Sequence, residues 1–155
     1  FQGGFGLLSI EGVPKPASGA FALLPRLGPD ELPMDGKHET VSAWAVRRDN
    51  TVTLLLTNHA LPKHAINTEL VHMSLTSAPT PRIAYVERVD DDHANAKCAW
   101  RQMGSPEYPS RLHIEQMEVA SQVMRRPVAL SYNDGTVGFD IDLPPHAVAA
   151  VTVEF

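Results

Sequence analysis

Val128-Ala-Leu-Ser-Tyr-Asn-Asp-Gly-Thr-Val-Gly-Phe-Asp-Ile-Asp-Leu143 is the stretch that decides the fold class. Val137, Phe139, Ile141 and Leu143 alternate with Gly138, Asp140 and Asp142. That period of two belongs to a strand with one face in a core and the other in water. Upstream, residues 128–132 read as a partner strand, and Asn133, Asp134 and Gly135 supply the left-handed backbone that a tight hairpin needs. The C-terminal part of the chain is therefore antiparallel β.

The same period recurs outward from this hairpin. Residues 41–47 and 51–58 are β-rich runs separated by Asp49 and Asn50, a second hairpin. Residues 69–76 place Val71, Met73 and Leu75 on one face, and 83–89 form a further strand. After Pro144 and Pro145, residues 147–155 put Ala149, Val151, Val153 and Phe155 on one side. Two helical pieces interrupt the series. Residues 95–103 carry Ala96, Ala99, Trp100 and Met103 at helical spacing, the pattern of a helix pressed on a sheet. A second helix starts at Pro109 or Ser110 and carries Leu112, Ile114, Met117, Ala120 and Val123. The expected fold is mainly β: an antiparallel sandwich of seven or eight strands with a short helical insertion.

Residues 1–28 differ in character. An apolar run at 5–10, a break at Gly12, the Pro14-Lys15-Pro16 lead and a helical run over 17–27 read as strand, turn, helix. Ala20, Phe21, Leu24 and Leu27 define its apolar side, Pro25 should kink or shorten its last turn, and Gly28 should stop it. Such a unit is a fragment of a βα repeat whose apolar partners are missing. The chain is thus expected to divide into a βα segment at 1–28 and a β-sandwich domain at 29–155.

Composition bounds the function. In 155 residues, 43% are hydrophobic and the formal net charge is −5. No apolar run approaches the roughly 20 residues that span a bilayer, so membrane insertion is not expected. A net negative chain has no general attraction for phosphate backbones, so nucleic acid is not an expected partner. The single cysteine, Cys98, excludes an internal disulfide and leaves the compartment open.

Four blocks, in order along the chain, resemble glycoside hydrolase family 39, the β-xylosidase family. They are Phe1-Gln2-Gly3-Gly4-Phe5-Gly6-Leu7-Leu8 with Gly12-Val13-Pro14-Lys15-Pro16; the Arg47-Arg48-Asp49 turn; Asp91-Asp92-His93-Ala94-Asn95-Ala96 with Ala99-Trp100, Met103-Gly104-Ser105-Pro106 and Tyr108-Pro109-Ser110; and Pro145-His146-Ala147-Val148. The resemblance implies that residues 1–28 are the last βα unit of a TIM-type catalytic barrel. It further implies that the sandwich follows as an accessory domain.

The chemistry implied is retaining glycoside hydrolysis, which needs two carboxylates about 5–5.5 Å apart. In the family both glutamates come from earlier barrel strands. No catalytic residue is therefore expected in this chain, which alone should be inactive, and its partners should be the remainder of the barrel and, through it, a xylo-oligosaccharide. Another activity of the same family, α-L-iduronidase-like, is the alternative. A stand-alone carbohydrate-binding or interaction module is a further one, although aromatic residues make up only 6% of the chain. Homo-oligomer contacts are left open.

Phe1 is the candidate substrate-binding residue, because barrel sites form at the C-terminal ends of strands; packing on the barrel wall is its rival role. Gly3, Gly4 and Gly6 read as sites of close backbone passage or positive φ. Glu11, Glu69, Glu87, Glu115 and Glu118 read as solvated surface charge. Asp90, Asp91 and Asp92 with His93 read as a solvated loop or helix cap, and the seven histidines as dispersed surface groups. No metal or cofactor is expected. Cys98 reads as a small, half-buried side chain.

Overall fold

The computed structural model describes residues 5–155. Helix α1 (Pro16–Leu23) comes first, then nine strands: β1 (Asp30–Leu32), β2 (Val41–Arg48), β3 (Thr51–Asn58), β4 (Glu69–Leu75), β5 (Ile83–Val89), β6 (Arg126–Pro127), β7 (Ser131–Asn133), β8 (Thr136–Leu143) and β9 (Val148–Glu154). Helices α2 (Ala96–Gln102) and α3 (Arg111–Ala120) fill the interval between β5 and β6. A six-stranded sheet in the order β1-β2-β3-β9-β5-β6 faces a three-stranded sheet in the order β4-β8-β7. Every strand pairing is antiparallel. The sandwich with a helical insertion is what the alternation predicts.

Turn chemistry sets the hairpins. Asp49 (φ 52°) closes β2 on β3, while Asp134 (φ 44°) and Gly135 (φ 77°) close β7 on β8, the paired positive angles of a tight hairpin turn. Between the sheets lie Leu54, Leu56, Phe139, Ile141, Leu143, Val151 and their neighbours, all buried. Asn58, fully buried at the end of β3, donates through Nδ2 to the carbonyls of Asn67 (2.8 Å) and Leu143 (2.8 Å). It ties the β3–β4 connection to the end of β8.

Several elements depart from the sequence expectation, each for a local reason. Residues 5–10 form no strand. A turn in which Ser9 N–H donates to Val13 O and Gly12 (φ 82°) reverses the backbone folds the segment on itself, leaving one bridge between Leu8 and Pro14. The first helix ends at Leu23 and tightens into a 3-10 turn over Leu24–Arg26, where Pro25 lacks the N–H that would continue it. Gly28 is not the helix stop. A Cβ there would lie 2.1 Å from the Arg47 carbonyl oxygen, so only glycine lets the chain reach β2 and add β1, a strand the sequence did not announce.

Near the C-terminus the strand expected over 128–132 splits. Arg126 and Pro127 pair with β5, residues 128–130 cross over, and β7 starts at Ser131 in the other sheet. Strand β9 is buried on both faces: Ala149, Val151 and Val153 face the core between the sheets, Ala150 and Thr152 are buried on its other side, and α1 touches the strand. Finally, α2 does not press on a sheet: Ala96, Ala99, Trp100 and Met103 pack with Met117 and Ile114 of α3 and with Val13.

Candidate docking face

The N-terminal segment is fixed to the rest of the chain by three contacts. Pro16 sits in the first turn of α1, where its missing N–H would have no partner. One turn on, Gly19 lies so near β5 that a Cβ would stand 3.0 Å from Val89 Cγ2, and Leu23 is buried. Val13, upstream, is fully enclosed by α2 and α3.

The third contact is ionic. Arg26 Nε and Nη2 donate to the two oxygens of Glu87 at 2.9 and 3.0 Å, the parallel fork that guanidinium and carboxylate favour. Glu87 stands on the outer face of β5, its side chain only 3% exposed, and the Arg125 Nε lies 3.6 Å away. Arg125 also covers the Tyr85 ring at 4.4 Å. The hydrogen bond and charge of Glu87 raise the Arg26 pKa above its ordinary value. Glu87 is therefore not the solvated charge expected of it; it is a buried anion neutralised by two arginines.

A second buried carboxylate follows at the end of β5. Asp90, whose side chain is 1% exposed, lies 2.7 Å from His93 Nδ1 and pairs with Arg88 Nε at 3.1 Å, and its Oδ1 accepts the Asp92 backbone N–H. Arg88 Nε also donates to His93 Nδ1 at 3.1 Å, so Arg88, Asp90 and His93 form one cluster. Asp91 and Asp92 are exposed, as expected, whereas Asp90 and His93 are not surface groups. Asn95 caps α2 through the Cys98 N–H, the role foreseen for this stretch.

On the opposite side of these anchors the segment is bare. Phe5 is 98% exposed, Ile10 79% and Phe21 60%, and Leu7, Leu8 and Leu24 are also exposed. The Phe21 and Leu24 side expected to be exposed is exposed among the described residues. Four of these large apolar groups precede α1, and the other two lie in α1 and in the 3-10 turn that follows it. In the same segment, Glu11 is half-buried, and hydrogen bonds from its own backbone N–H and from the Ser9 hydroxyl hold its carboxyl below the usual carboxylate range.

The remaining candidates are scattered. Phe1, Gly3 and Gly4 lie outside the described residues; Gly6 has the positive φ (83°) anticipated for it. Glu115 and Glu118 are exposed on α3, the former paired with Arg111, and Glu69 is half-buried at the start of β4. Cys98 is half-buried. Trp100 donates its indole N–H to the Pro106 carbonyl at 3.0 Å. Among the described residues no three His, Cys, Asp or Glu side chains gather to hold a metal, and no helix is long and apolar enough to cross a membrane. Glu87 and Asp90 were missed as buried groups. The available signal was Ala150, a small residue at an outward position of β9 directly opposite Glu87, where only a closely packed cover makes small size useful.

These features define a β-sandwich carrying a docked N-terminal helix with one uncovered apolar side. A profile of "Glycosyl hydrolases family 39" matches residues 1–137. The chain is 37% identical over 157 residues to a beta-xylosidase of Caldicellulosiruptor saccharolyticus, an alignment covering 99% of this chain and 32% of that protein. A beta-xylosidase of Geobacillus stearothermophilus is 28% identical, over 99% of this chain and 30% of its own length. The fold matches the crystal structure of the GH39 enzyme from Xanthomonas axonopodis pv. citri with a TM-score of 0.78 at 22% identity, over 99% of this chain and 33% of that one. This chain belongs to glycosyl hydrolases family 39. It spans about a third of the length of the curated relatives it matches.

Proposed function

We infer that the chain works as the C-terminal, non-catalytic portion of a β-xylosidase, a retaining hydrolase that releases xylose from the non-reducing end of xylo-oligosaccharides. In this reading residues 1–28 complete the catalytic barrel and 29–155 brace it. The observation that carries it is the bare side of the docked segment, from Phe5 to Leu24, in a chain whose relatives are three times longer. Its chemistry is consistent with that role. The two buried carboxylates, Glu87 and Asp90, are each neutralised by arginine, which suits a structural lock and not an acid that must exchange protons with a sugar.

A stand-alone carbohydrate module is disfavoured by where the exposed aromatics lie. Trp44 is on β2, Tyr132 on β7 of the other sheet, Tyr108 between α2 and α3, and Phe5 and Phe21 in the N-terminal segment. They form no strip along one sheet face. The test is hydrolysis of an aryl β-xyloside by this chain and by the longer polypeptide that carries it. The chain alone should show no turnover and the longer protein should release the aryl group. Turnover by the chain alone would contradict the assignment, and a longer protein that cleaves only aryl iduronides would give the alternative specificity.

A further inference from the structure

The turn that precedes α1 and the helical insertion of the sandwich meet at one residue. Val13, just ahead of Pro16, is fully buried and packs with Ala96, Trp100 and Met103 on one side and Ile114 and Met117 of α3 on the other. Its turn is held in one shape: Ser9 N–H donates to Val13 O at 2.9 Å, Val13 N–H donates to Ser9 Oγ at 3.2 Å, and Lys15 N–H donates to Leu7 O at 2.8 Å. Helices α2 and α3 are thereby fixed beside the N-terminal end of α1.

In a barrel of this type every strand-to-helix loop opens on the face that carries the active site. With residues 1–28 as the last such unit, the reading under Proposed function on which this inference rests, the turn before α1 lies on that face. Val13 then brings α2 and α3 to its rim.

The connection between the two helices is braced at both ends. Trp100 Nε1 donates to the Pro106 carbonyl at 3.0 Å, Ser105 N–H donates to the Trp100 carbonyl at 3.0 Å, and Gly104 (φ 84°) and Ser105 (φ 55°) reverse the backbone. Ser110 Oγ accepts the His113 N–H at 3.3 Å and caps α3. Between Pro106 and Pro109, whose rings fix φ, stands Tyr108, 85% exposed. A tyrosine on such a loop offers a flat apolar face at small entropic cost while its hydroxyl stays in water. That suits a pyranose, which has an apolar C–H face and a polar edge.

We propose that Tyr108 is a substrate-binding residue supplied by the sandwich: its ring stacks on a xylose unit of the leaving-group side, beyond the two sugars that flank the scissile bond. A hydrolase that removes the non-reducing sugar holds that sugar innermost, so the rim meets units nearer the reducing end. Tyr108 adds affinity for longer oligosaccharides and does not touch the reacting atoms.

The test is hydrolysis of xylobiose and xylotetraose by the longer polypeptide as wild type, Tyr108→Ala and Tyr108→Phe. Tyr108→Ala is expected to raise KM for xylotetraose about fivefold, the worth of one aromatic contact, and to leave kcat, KM for xylobiose and the unfolding temperature unchanged. Tyr108→Phe keeps the ring and should keep the wild-type KM. An unchanged KM for xylotetraose in Tyr108→Ala overturns the inference and leaves the reading standing, since the wild type still releases xylose. A loss of equal size on both substrates would assign Tyr108 to packing on the barrel and would also overturn the inference. A wild-type longer protein that releases no xylose overturns the reading and the inference together.

Discussion

Two side chains, Glu87 and Glu11, show how buried and half-buried charge is held. Glu87 is buried because Arg26 and Arg125 neutralise it, and removing one arginine leaves a desolvated anion half-paired. Arg26→Ala is expected to cost about 2 kcal/mol, since Arg26 is itself partly exposed and Arg125 remains. Thermal unfolding of Arg26→Ala, Glu87→Met and the double variant checks this; the double variant should recover most of the loss. Glu11 gives a pH dependence. Its folded pKa is below the unfolded one, so its contribution is present above the unfolded pKa, near 4.5, and is lost as pH falls through the lower folded value. Glu11→Gln should flatten the stability profile below about pH 4.5 by lowering stability at pH 7, where the contribution is fully present, with little change in acid, where it is already lost; urea unfolding at both pH values measures this. Neither role was legible in the sequence, where a glutamate in a strand or turn looks like surface.

At the scale of elements, the sequence spoke clearly wherever one face is buried and one is wet. Strands β4 and β8 were legible by that alternation, β2, β3 and β5 as β-rich runs, β9 by Ala149, Val151 and Val153 on one side, and α2 and α3 by helical spacing, with Asn95 as a cap. Short strands were not. β1, β6 and β7 are two or three residues long, too few for a period to show, and each exists because a neighbour offers an edge. The strand expected at 5–10 failed for the converse reason, an apolar run with no edge beside it among the described residues. Connections carry stability as well. Asn58→Ala removes the donor shared by two carbonyls from different segments and should cost about 2–3 kcal/mol, because those acceptors stay buried. The midpoint shift in chemical denaturation measures it.

For the whole molecule, the central point is asymmetry: one side of the N-terminal segment is locked to the sandwich, and the other is left apolar and open. The anchors explain why the helix stays on β5 and β9 although, among the described residues, its far side is uncovered. The open side was readable from Ala20, Phe21 and Leu24 at helical spacing, although the buried face proved to be Gly19 and Leu23, residues that sit between those positions. A helix with two apolar sides belongs between two bodies.

The most direct measurement is the affinity between this chain and the remaining part of the longer polypeptide expressed separately, for the wild type and for Phe21→Glu/Leu24→Glu. Burying two such side chains is worth about 1.5–3 kcal/mol each. The wild type should therefore bind, and the double variant should bind at least tenfold more weakly while unfolding at the same temperature. Equal affinity for both, or no binding by the wild type, would contradict a docking role for this face.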